Sequence, residues 1–532
     1  MVVWHQRSYE EPWDSELVVS ASTVKGGVMS TTTDPRTGTS TVIEISETSS
    51  SDVDLITKRA TLVAPSFAAL RREVRASLLE AIADSLDARR EVLVQTADDE
   101  TALGLARLNG ELSRSVFQFR LFAEALREGS YLEAMIDHPA ETVLGSVPDL
   151  RRILIPIGPV AVFGSSNFPF AFSVAGGDTA SALAAGCPVV LKAHPSHPLT
   201  SLRSFDAIVA GLADRGAPDG IIGLIFGQAA GSRLVADGSI KAVSFTGSLA
   251  GAQALQGIIN EREDPIPFYG ELSSLNPLVI TAGAARTRTT QIAQGLFTSF
   301  TGSGGQLCTK PGIAFVPTGE VGDDLVEAVR DLVIGTDGQV LLNRRIFDAY
   351  KAIGDHLAAS GGVTVAARAE IVAGADGFVA PPILLTTTAM ELTDELTEEC
   401  FGPLIVLARY EHIKELEAAI KRLPSSLTAT IHAEEDELEL TTELTGMFAP
   451  ICGRIVYNGF PTGLRVSWAQ HHGGPWPATN SLHTSVGVTA MRRFLRPFVW
   501  QNAPQAVLPV ELRDGESTTP RRVDGQLVLH TQ

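Results

Sequence analysis

A cysteine beside a glycine-rich run is the first residue of this sequence whose setting suggests chemistry. In TGSGGQLCTK, residues 301–310, glycines precede Cys308 closely. Glycine lets the backbone approach another group or adopt a positive φ. A structural thiol usually lies among branched apolar residues instead, as Cys187 does in GCPVVLK. We therefore interpret Cys308 as a candidate nucleophile that a substrate must reach.

Other polar residues stand next to predicted buried strands. Asn167, in VFGSSNFPFAFS, could donate its amide hydrogen to a developing oxyanion, and it could equally form an Asx turn before Pro169. Glu271, in FYGELSSLNPLVI, could act as a general base if an apolar pocket raises its pKa. Glu399 and Phe401 precede the strand of EECFGPLIVL. Each would also be ordinary at a surface, so none is decisive alone.

A turn from strand to helix suggests a phosphate site. The stretch IIGLIFGQAAGSRLV passes through Gly227 and Gly231 into a predicted helix, whose first amide groups could face a phosphate. The stretch lacks the G-x-G-x-x-G fingerprint, and many such glycines are only turns. The signal is therefore weak by itself.

The end of another predicted strand bears on the choice of cofactor. In VVLKAHPSHPLTS, Lys192 could donate to a ribose hydroxyl, and no acidic residue follows before Asp206. An acidic side chain would accept from a ribose 2′-hydroxyl and would repel a 2′-phosphate. Its absence, with His194 and His197 nearby, favours NADP and leaves NAD open. A capped loop after a strand would look the same.

The cysteines and the histidine pair give no metal signal. The four cysteines lie far apart without a C-x-x-C pair, which argues against a disulfide framework and a zinc site: Cys187, Cys308, Cys400 and Cys452. This pattern suits a reducing, cytoplasmic setting. His471 and His472, in AQHHGGPWPATN, are adjacent and are not spaced for shared ligation. We interpret them as loop residues and predict no metal.

The length, the net charge and the distribution of apolar residues limit the class of protein. A chain of 532 residues predicts at least two domains. A formal net charge of −19 disfavours a nucleic-acid binder, because phosphate contacts need clustered Lys and Arg. The sequence holds no apolar run of membrane-spanning length. The acidic start does not resemble a signal peptide, and residues 1–28 could be an upstream extension before Met29, which the sequence leaves open.

The predicted elements alternate between strand and helix. Residues 30–52 are predicted as a loose arm with one strand, TVIEIS, and helical periodicity dominates from about residue 66 to 126. Strands and helices then alternate, as in PVVLKA and LRSFDAIVAGLADRG, and the alternation resumes over about 271–470. This order predicts two parallel α/β domains. The last residues are predicted to form a polar tail.

The order of these stretches resembles the aldehyde dehydrogenase superfamily over about residues 55–525. Within it, the chain is most similar to the α-ketoglutaric semialdehyde (2,5-dioxovalerate) dehydrogenase branch, through GPVAVFGSSNFPFAFSVAGGDTASALAAGCPVVLKAHPSHP, ELSSLNP, NGFPTG, HHGGPWPATN and TSVGVTAMRRFLRP. The resemblance implies that Cys308 is the nucleophile, Glu271 the general base and Asn167 the oxyanion donor. It also implies a set of cofactor contacts: Lys192, His194, Ser196, Gly227, Gly231, Phe245, Thr246, Gly247, Ser248, Glu399 and Phe401.

The resemblance also implies a substrate tunnel. Phe168 and Phe172 would line it, and a dicarboxylic product would need a cation for the far carboxylate. Arg114, in LNGELSRSVFQFR, is the first candidate, and Arg465 is the second.

The sequence departs from the usual pattern of the family at several positions. ELSS replaces the usual ELGG, and Pro195 replaces the usual acidic residue, which agrees with NADP. Leu307 replaces an aromatic residue, and Lys310 has no assigned role.

The implied reaction is oxidation of an aldehyde to an acid through a cysteine thiohemiacetal and thioester. The substrate that the resemblance favours is α-ketoglutaric semialdehyde, and the product is then 2-oxoglutarate. A long-chain aldehyde dehydrogenase using NADP and a non-catalytic relative remain as alternatives. The implied architecture is a homodimer or homotetramer with an arm (1–54), a Rossmann-like cofactor domain (55–136 and 157–270), a catalytic domain (271–475), a bridging element (137–156 and 476–510) and a tail (511–532).

Overall fold

The computed structural model describes residues 28–371, 376–515 and 519–529. The question of an upstream extension over 1–28 concerns residues that lie, except for the last, outside the described part. Among the described residues, no helix is both long and apolar enough to cross a membrane.

The first large sheet is entirely parallel. Its five strands lie in this order across the sheet: Phe268–Glu271, Ala242–Thr246, Val160–Phe163, Val189–Lys192 and Ile222–Ile225. Strands such as VAVF and VVLK are buried along almost their whole length, as expected when helices cover both faces of a sheet. The helices of this part of the chain are Ser50–Ala68, Arg72–Ala88, Arg90–Thr101, Leu105–Glu128, Gly177–Ala185, Pro198–Ala213, Gln228–Ala236 and Leu249–Asn260.

The second large sheet has seven strands. Their order is Thr364–Arg368, Ile383–Thr388, Leu404–Tyr410, Ile313–Pro317, Leu278–Ile280, Ser426–His432 and Cys452–Tyr457. Only the pairing of Thr364–Arg368 with its neighbour is antiparallel. The accompanying helices are Ala282–Thr301, Glu320–Ile334, Arg344–Ala359, Ile413–Ile420 and Leu438–Phe448. The two parallel α/β sheets confirm the predicted fold class.

The third sheet joins distant parts of the chain. Its strands are Leu495–Gln501, Leu150–Pro156, Ala134–Asp137, Arg521–Val523 and Gln526–Val528, in that order. Three short pairs complete the strands: Met29–Asp34 with Thr39–Ser46, Ala140–Thr142 with Gly145–Val147, and Gln339–Val340 with Val379–Ala380. The predicted domain boundaries stay a prediction.

Three parts of the chain differ from the sequence-based prediction. The arm holds two strands that form a hairpin, because Gly38 adopts a φ of 70° and closes the turn DPRTG. The first helix begins at Ser50, well before residue 66, since the Ser49 hydroxyl accepts from the Asp52 amide and caps it. The predicted tail also forms two strands, because Asp524 and Gly525 both have positive φ and make a tight turn.

Candidate active site

The loop that carries Cys308 is shaped by its glycines. It follows the helix Ala282–Thr301, and residues 303–305 all have positive φ. A Cβ on Gly305 would collide with the backbone of Gly402, so only glycine allows these two loops to meet. Cys308 itself is half-buried. The thiol is therefore held in place and remains accessible, as the glycine-rich stretch predicted.

Three side chains meet at this point. Glu271 ends the first sheet's edge strand, and its Oε1 lies 2.8 Å from Nε2 of His472. The same Nε2 lies 3.6 Å from Sγ of Cys308. The Ser485 hydroxyl donates to the second carboxylate oxygen of Glu271 over 2.6 Å. A nucleophile, a carboxylate and an imidazole thus form one connected group.

The oxyanion donor predicted from the sequence lies beside this group. Asn167 is buried, and its amide Nδ2 donates to the carbonyl oxygen of Gln306 over 2.9 Å, two residues before Cys308. The Arg107 guanidinium in turn donates to the Asn167 carbonyl oxygen over 2.6 Å. The structure therefore brings Asn167, Glu271 and Cys308 together.

The electrostatics explain why the thiol needs a base. Burial and the Glu271 carboxylate raise the pKa of Cys308 well above its ordinary value. Burial also pushes the pKa of Glu271 upward, but the His472 contact and the Ser485 hydrogen bond outweigh it and leave that pKa below its ordinary value. Cys308 is therefore a thiol at neutral pH, while Glu271 is ready to accept a proton.

His472 is the residue that sequence reasoning missed. Both adjacent histidines lie in a loop, as predicted, but the ring of His472 is buried between Glu271 and Cys308, a contact that the sequence did not indicate. His472 lies 201 positions from Glu271 and 164 from Cys308, so no local spacing could reveal the contact.

The side chains of Glu271, Cys308 and His472 also offer atoms within 4.8 Å of one another that suit a metal ion. The hydrogen bonds already account for the arrangement, and the absence of a metal stays a prediction.

Two arginines and two phenylalanines pack against one another near the site. The guanidinium of Arg114 lies 4.9 Å from the ring centre of Phe172, and that of Arg107 lies 4.9 Å from the ring centre of Phe168. Burial lowers the pKa of Arg114, and the charges of Cys308, Glu111 and Glu271 act on it in the opposite direction. The first-choice cation therefore lies at the site.

The second-choice cation does not share this setting. Arg465 is exposed.

Arg107, which the sequence did not single out, lies seven residues, or about two turns, before Arg114 on the same face of the helix Leu105–Glu128. Buried Glu111 on the same helix accepts from the amides of Phe170 and Ala171, over 2.7 and 3.0 Å, and so fixes the loop of both phenylalanines.

The carboxyl edge of the first sheet fits a dinucleotide. Parallel strands end there at Phe163, Lys192 and Thr246, and such edges are where α/β sheets bind nucleotides. A Cβ on Gly231 would lie 3.1 Å from the Phe163 ring and 3.4 Å from Cγ of Lys192, so a larger residue there would crowd both side chains. Burial lowers the pKa of Lys192 to about 8.

The other predicted cofactor residues lie around this edge. Gly227, with a φ of 97°, precedes the helix Gln228–Ala236. The Phe245 ring covers Gly247, whose amide donates to the Glu271 carbonyl oxygen over 3.0 Å. The Ser248 hydroxyl caps the next helix. The same edge thus connects directly to Glu271.

The loop after Lys192 is stabilised by its own side chains. The ring of His194 stacks on that of His197 with centres 5.3 Å apart, and burial lowers the pKa of His194 well below its ordinary value. Nδ1 of His194 accepts from the Ser196 amide over 3.1 Å. The Asn343 amide donates to the Ser196 hydroxyl over 2.9 Å, which ties this loop to the second sheet's part of the chain.

Lys310 has a structural role in the loop that carries Glu399. Its ammonium group is fully buried and donates to the carbonyl oxygens of Cys400 and Leu404, over 2.9 and 3.0 Å. Burial raises the pKa of Glu399 to about 7, against the opposing effect of Lys310 and of the Ser274 amide. Phe401, beside Glu399, packs against the core of the second sheet.

Comparison with known proteins agrees with this geometry. The pattern of the aldehyde dehydrogenase family matches residues 25–466. The chain belongs to that family. It is 40% identical over 470 residues to α-ketoglutaric semialdehyde dehydrogenase 2 of Azospirillum brasilense, covering 85% of this chain and 87% of the relative. It is 40% identical over 452 residues to α-ketoglutaric semialdehyde dehydrogenase of Acinetobacter baylyi, covering 84% and 85%.

Solved structures share the fold. Aldehyde dehydrogenase C of Pseudomonas syringae, determined as a mutant with NAD+ and octanal, matches with a TM-score of 0.76 and 20% identity, over 90% of this chain and 94% of that one. Aldehyde dehydrogenase 21 of Physcomitrella patens, determined with the reaction product succinate, matches with a TM-score of 0.76 and 21% identity, over 90% and 96%. This member of the family is an NAD(P)-dependent aldehyde dehydrogenase.

Proposed function

We propose that this aldehyde dehydrogenase oxidises α-ketoglutaric semialdehyde to 2-oxoglutarate. The observation that carries the proposal is the state of Arg114, whose buried Nε and Nη2 have no hydrogen-bond partner among the described residues. An unpaired buried guanidinium is costly and suits a carboxylate, which can accept from two of its N–H groups. A semialdehyde with a carboxylate at its far end provides that partner. The two relatives at 40% identity carry the name of this activity.

The first step forms a bond between sulfur and carbon. The Cys308 thiol gives its proton to the hydrogen-bonded pair of Glu271 and His472, and Sγ attacks the aldehyde carbon. The carbonyl electrons move to oxygen, where the Asn167 amide and the Cys308 backbone N–H donate hydrogen bonds. Loss of one such donor typically costs about 3 kcal/mol of transition-state stabilisation.

The second step releases the acid. A dinucleotide held at the carboxyl edge of the first sheet would accept the hydride of the thiohemiacetal, which leaves a thioester on Cys308. The pair of Glu271 and His472 first releases the proton taken from Cys308 to solvent. Glu271 then accepts a proton from a water molecule whose oxygen attacks the thioester carbon. The carbon–sulfur bond breaks, and the proton returns to the Cys308 sulfur. Lys192, Gly231 and Glu399 are the residues that would hold the dinucleotide.

The far carboxylate is where substrate selection takes place. Arg114 and Arg107 lie over the faces of Phe172 and Phe168, so an aldehyde that enters between them meets an aromatic wall with a cationic end. A long apolar aldehyde would leave Arg114 unpaired. This contrast favours the acidic semialdehyde over the fatty aldehyde alternative.

We also propose that the chain acts as a homodimer or homotetramer. The edge strand Leu495–Gln501 of the third sheet exposes Phe498 and Val499, at 38% and 47%, and an unpaired apolar edge strand is suited to association. Val499→Lys should then lower the apparent mass in light scattering, and an unchanged mass would contradict this use of the strand.

The substrate proposal is tested by comparing kcat/KM for α-ketoglutaric semialdehyde and for decanal, with NAD and with NADP. We expect the semialdehyde to be favoured by about tenfold or more, as for a site that pairs a buried charge. A preference for decanal with both dinucleotides would refute the proposal. Equal activity on both aldehydes would refute it as well.

A further inference from the structure

The N-terminal hairpin docks on the cofactor sheet. Ile45 of the hairpin packs in one buried cluster with Ala193 and Phe226 of the sheet. Thr48 and Phe226 then exchange two hydrogen bonds, each 2.9 Å long: the Thr48 amide donates to the Phe226 carbonyl oxygen, and the Phe226 amide donates to the Thr48 hydroxyl. The residue before Thr48 is therefore fixed against the sheet.

That docking brings Glu47 to the edge that fits a dinucleotide. A Cβ on Gly227 would lie 2.9 Å from Cδ and 3.0 Å from Oε2 of Glu47, so the carboxylate covers the glycine that opens the phosphate-facing helix. The backbone amide of Glu47 donates to the Val28 carbonyl oxygen over 2.8 Å. The carboxylate is exposed and accepts no hydrogen bond from any residue of the described part of the chain.

The neighbouring cation is Lys192. The Glu47 charge acts on Lys192 and raises its pKa against the larger effect of burial. The side-chain ammonium of Lys192 likewise makes no hydrogen bond within the described ranges. A lysine and a carboxylate that face the same edge without pairing can both contact one ligand, the lysine as donor and the carboxylate as acceptor.

We propose that Glu47 supplies the acidic side chain that the loop after Lys192 lacks, and that it makes this enzyme favour NAD over NADP. A carboxylate accepts hydrogen bonds from ribose hydroxyls and repels a phosphate on the 2′-oxygen. Pro195 by itself favours NADP, because the position three residues after Lys192 then carries no acid. The hairpin brings an acid to the same edge from 145 positions earlier in the chain. The inference rests on the proposed function only in assigning this edge to the dinucleotide.

One opposing charge lies nearby. Arg345 acts on the neighbouring His194 and lowers its pKa further. A guanidinium there would attract a 2′-phosphate, so it acts against the preference that Glu47 sets. The experiment therefore varies the charge of Glu47 alone.

The test is a calorimetric titration of the purified full chain with NAD+ and with NADP+, without aldehyde. We expect the wild type to bind NAD+ at least about tenfold more tightly than NADP+. Glu47→Gln should tighten NADP+ binding by about tenfold and weaken NAD+ binding by about threefold, and Glu47→Lys should move both values further in the same directions. Glu44→Gln is the matched control, since it removes one exposed carboxylate of the same hairpin, and it should leave both dissociation constants unchanged.

Each result supports or overturns the inference. The ratio of the dissociation constants for NAD+ and NADP+ is compared between each variant and the wild type. If this ratio stays within about twofold of the wild-type ratio in both Glu47→Gln and Glu47→Lys, the role of Glu47 is overturned. A chain that binds neither dinucleotide overturns the proposed function as well. Thermal melting of each variant distinguishes a local change at the edge from a loss of the hairpin. A preference that shrinks with added salt supports the electrostatic origin.

Discussion

Replacing His472 by glutamine removes the imidazole that connects Glu271 to Cys308. In the wild type, Nε2 of His472 lies 2.8 Å from Oε1 of Glu271, and the two side chains are only 1% and 3% exposed. Nδ1 of His472 is buried and has no hydrogen-bond partner among the described residues, so the ring interacts mainly through Nε2. The substitution should therefore act on the reaction through this single atom.

The size of the effect follows from the burial of the pair. A hydrogen bond to a buried charged group contributes about 1.5–3 kcal/mol, which corresponds to about a 10- to 100-fold loss in kcat/KM if it stabilises the transition state. The pKa of Glu271 lies below its ordinary value partly because of this contact. Losing it raises that pKa, so Glu271 accepts a proton only at higher pH.

The assay is the pH profile of kcat, together with the rate at which iodoacetamide alkylates Cys308. We expect the acidic limb of the His472→Gln profile to move to higher pH, and the alkylation rate at neutral pH to fall. His471→Gln is the matched control, because His471 is adjacent and, among the described residues, forms no hydrogen bond with Cys308 or Glu271. An acidic limb and an alkylation rate equal to those of the wild type would refute the reasoning.

Two further substitutions test the ends of the site. Arg114→Leu should raise the KM for α-ketoglutaric semialdehyde by about tenfold and leave the KM for decanal unchanged. The control, Arg465→Leu at an exposed position, should change neither KM. Equal effects on both aldehydes would remove Arg114 from substrate recognition. Because the pKa of Glu399 is about 7, its carboxylate forms as the pH rises through that value and becomes a stronger acceptor for ribose hydroxyls. Dinucleotide binding should then tighten from pH 6 to pH 8, about one unit on each side of that pKa. Glu399→Gln should abolish this pH dependence, and the control Glu398→Gln should retain it. A dependence that survives in Glu399→Gln would assign it to another group.

Local pattern was sufficient for most of the elements and for the accessible setting of Cys308. Strands such as VVLK are apolar throughout because both faces of the sheet are covered, and this pattern can be read along the chain. The glycines before Cys308 are required because the backbone of Gly402 lies against them. The unusual density of these glycines predicted an accessible thiol. Gly402, the neighbour that makes the glycines necessary, lies far away in the sequence.

Contacts between distant segments could not be predicted in the same way. His472, Arg107 and Glu47 each act through a partner that lies 60 or more positions away, and nothing in their own surroundings marks them. The turns at Gly38 and Gly525 did carry a local signal, since both follow patterns typical of tight turns. The two hairpins could therefore have been predicted, whereas the histidine could not.

The central claim is that Cys308 forms a thioester that Glu271 helps to hydrolyse. Rapid mixing of Glu271→Gln with semialdehyde and dinucleotide tests it, followed by acid quench and intact-mass analysis. The account predicts a burst of reduced dinucleotide, little further turnover, and one acyl group on the peptide that contains Cys308. Equal loss of burst and turnover, or an acyl group on any other residue, would contradict it.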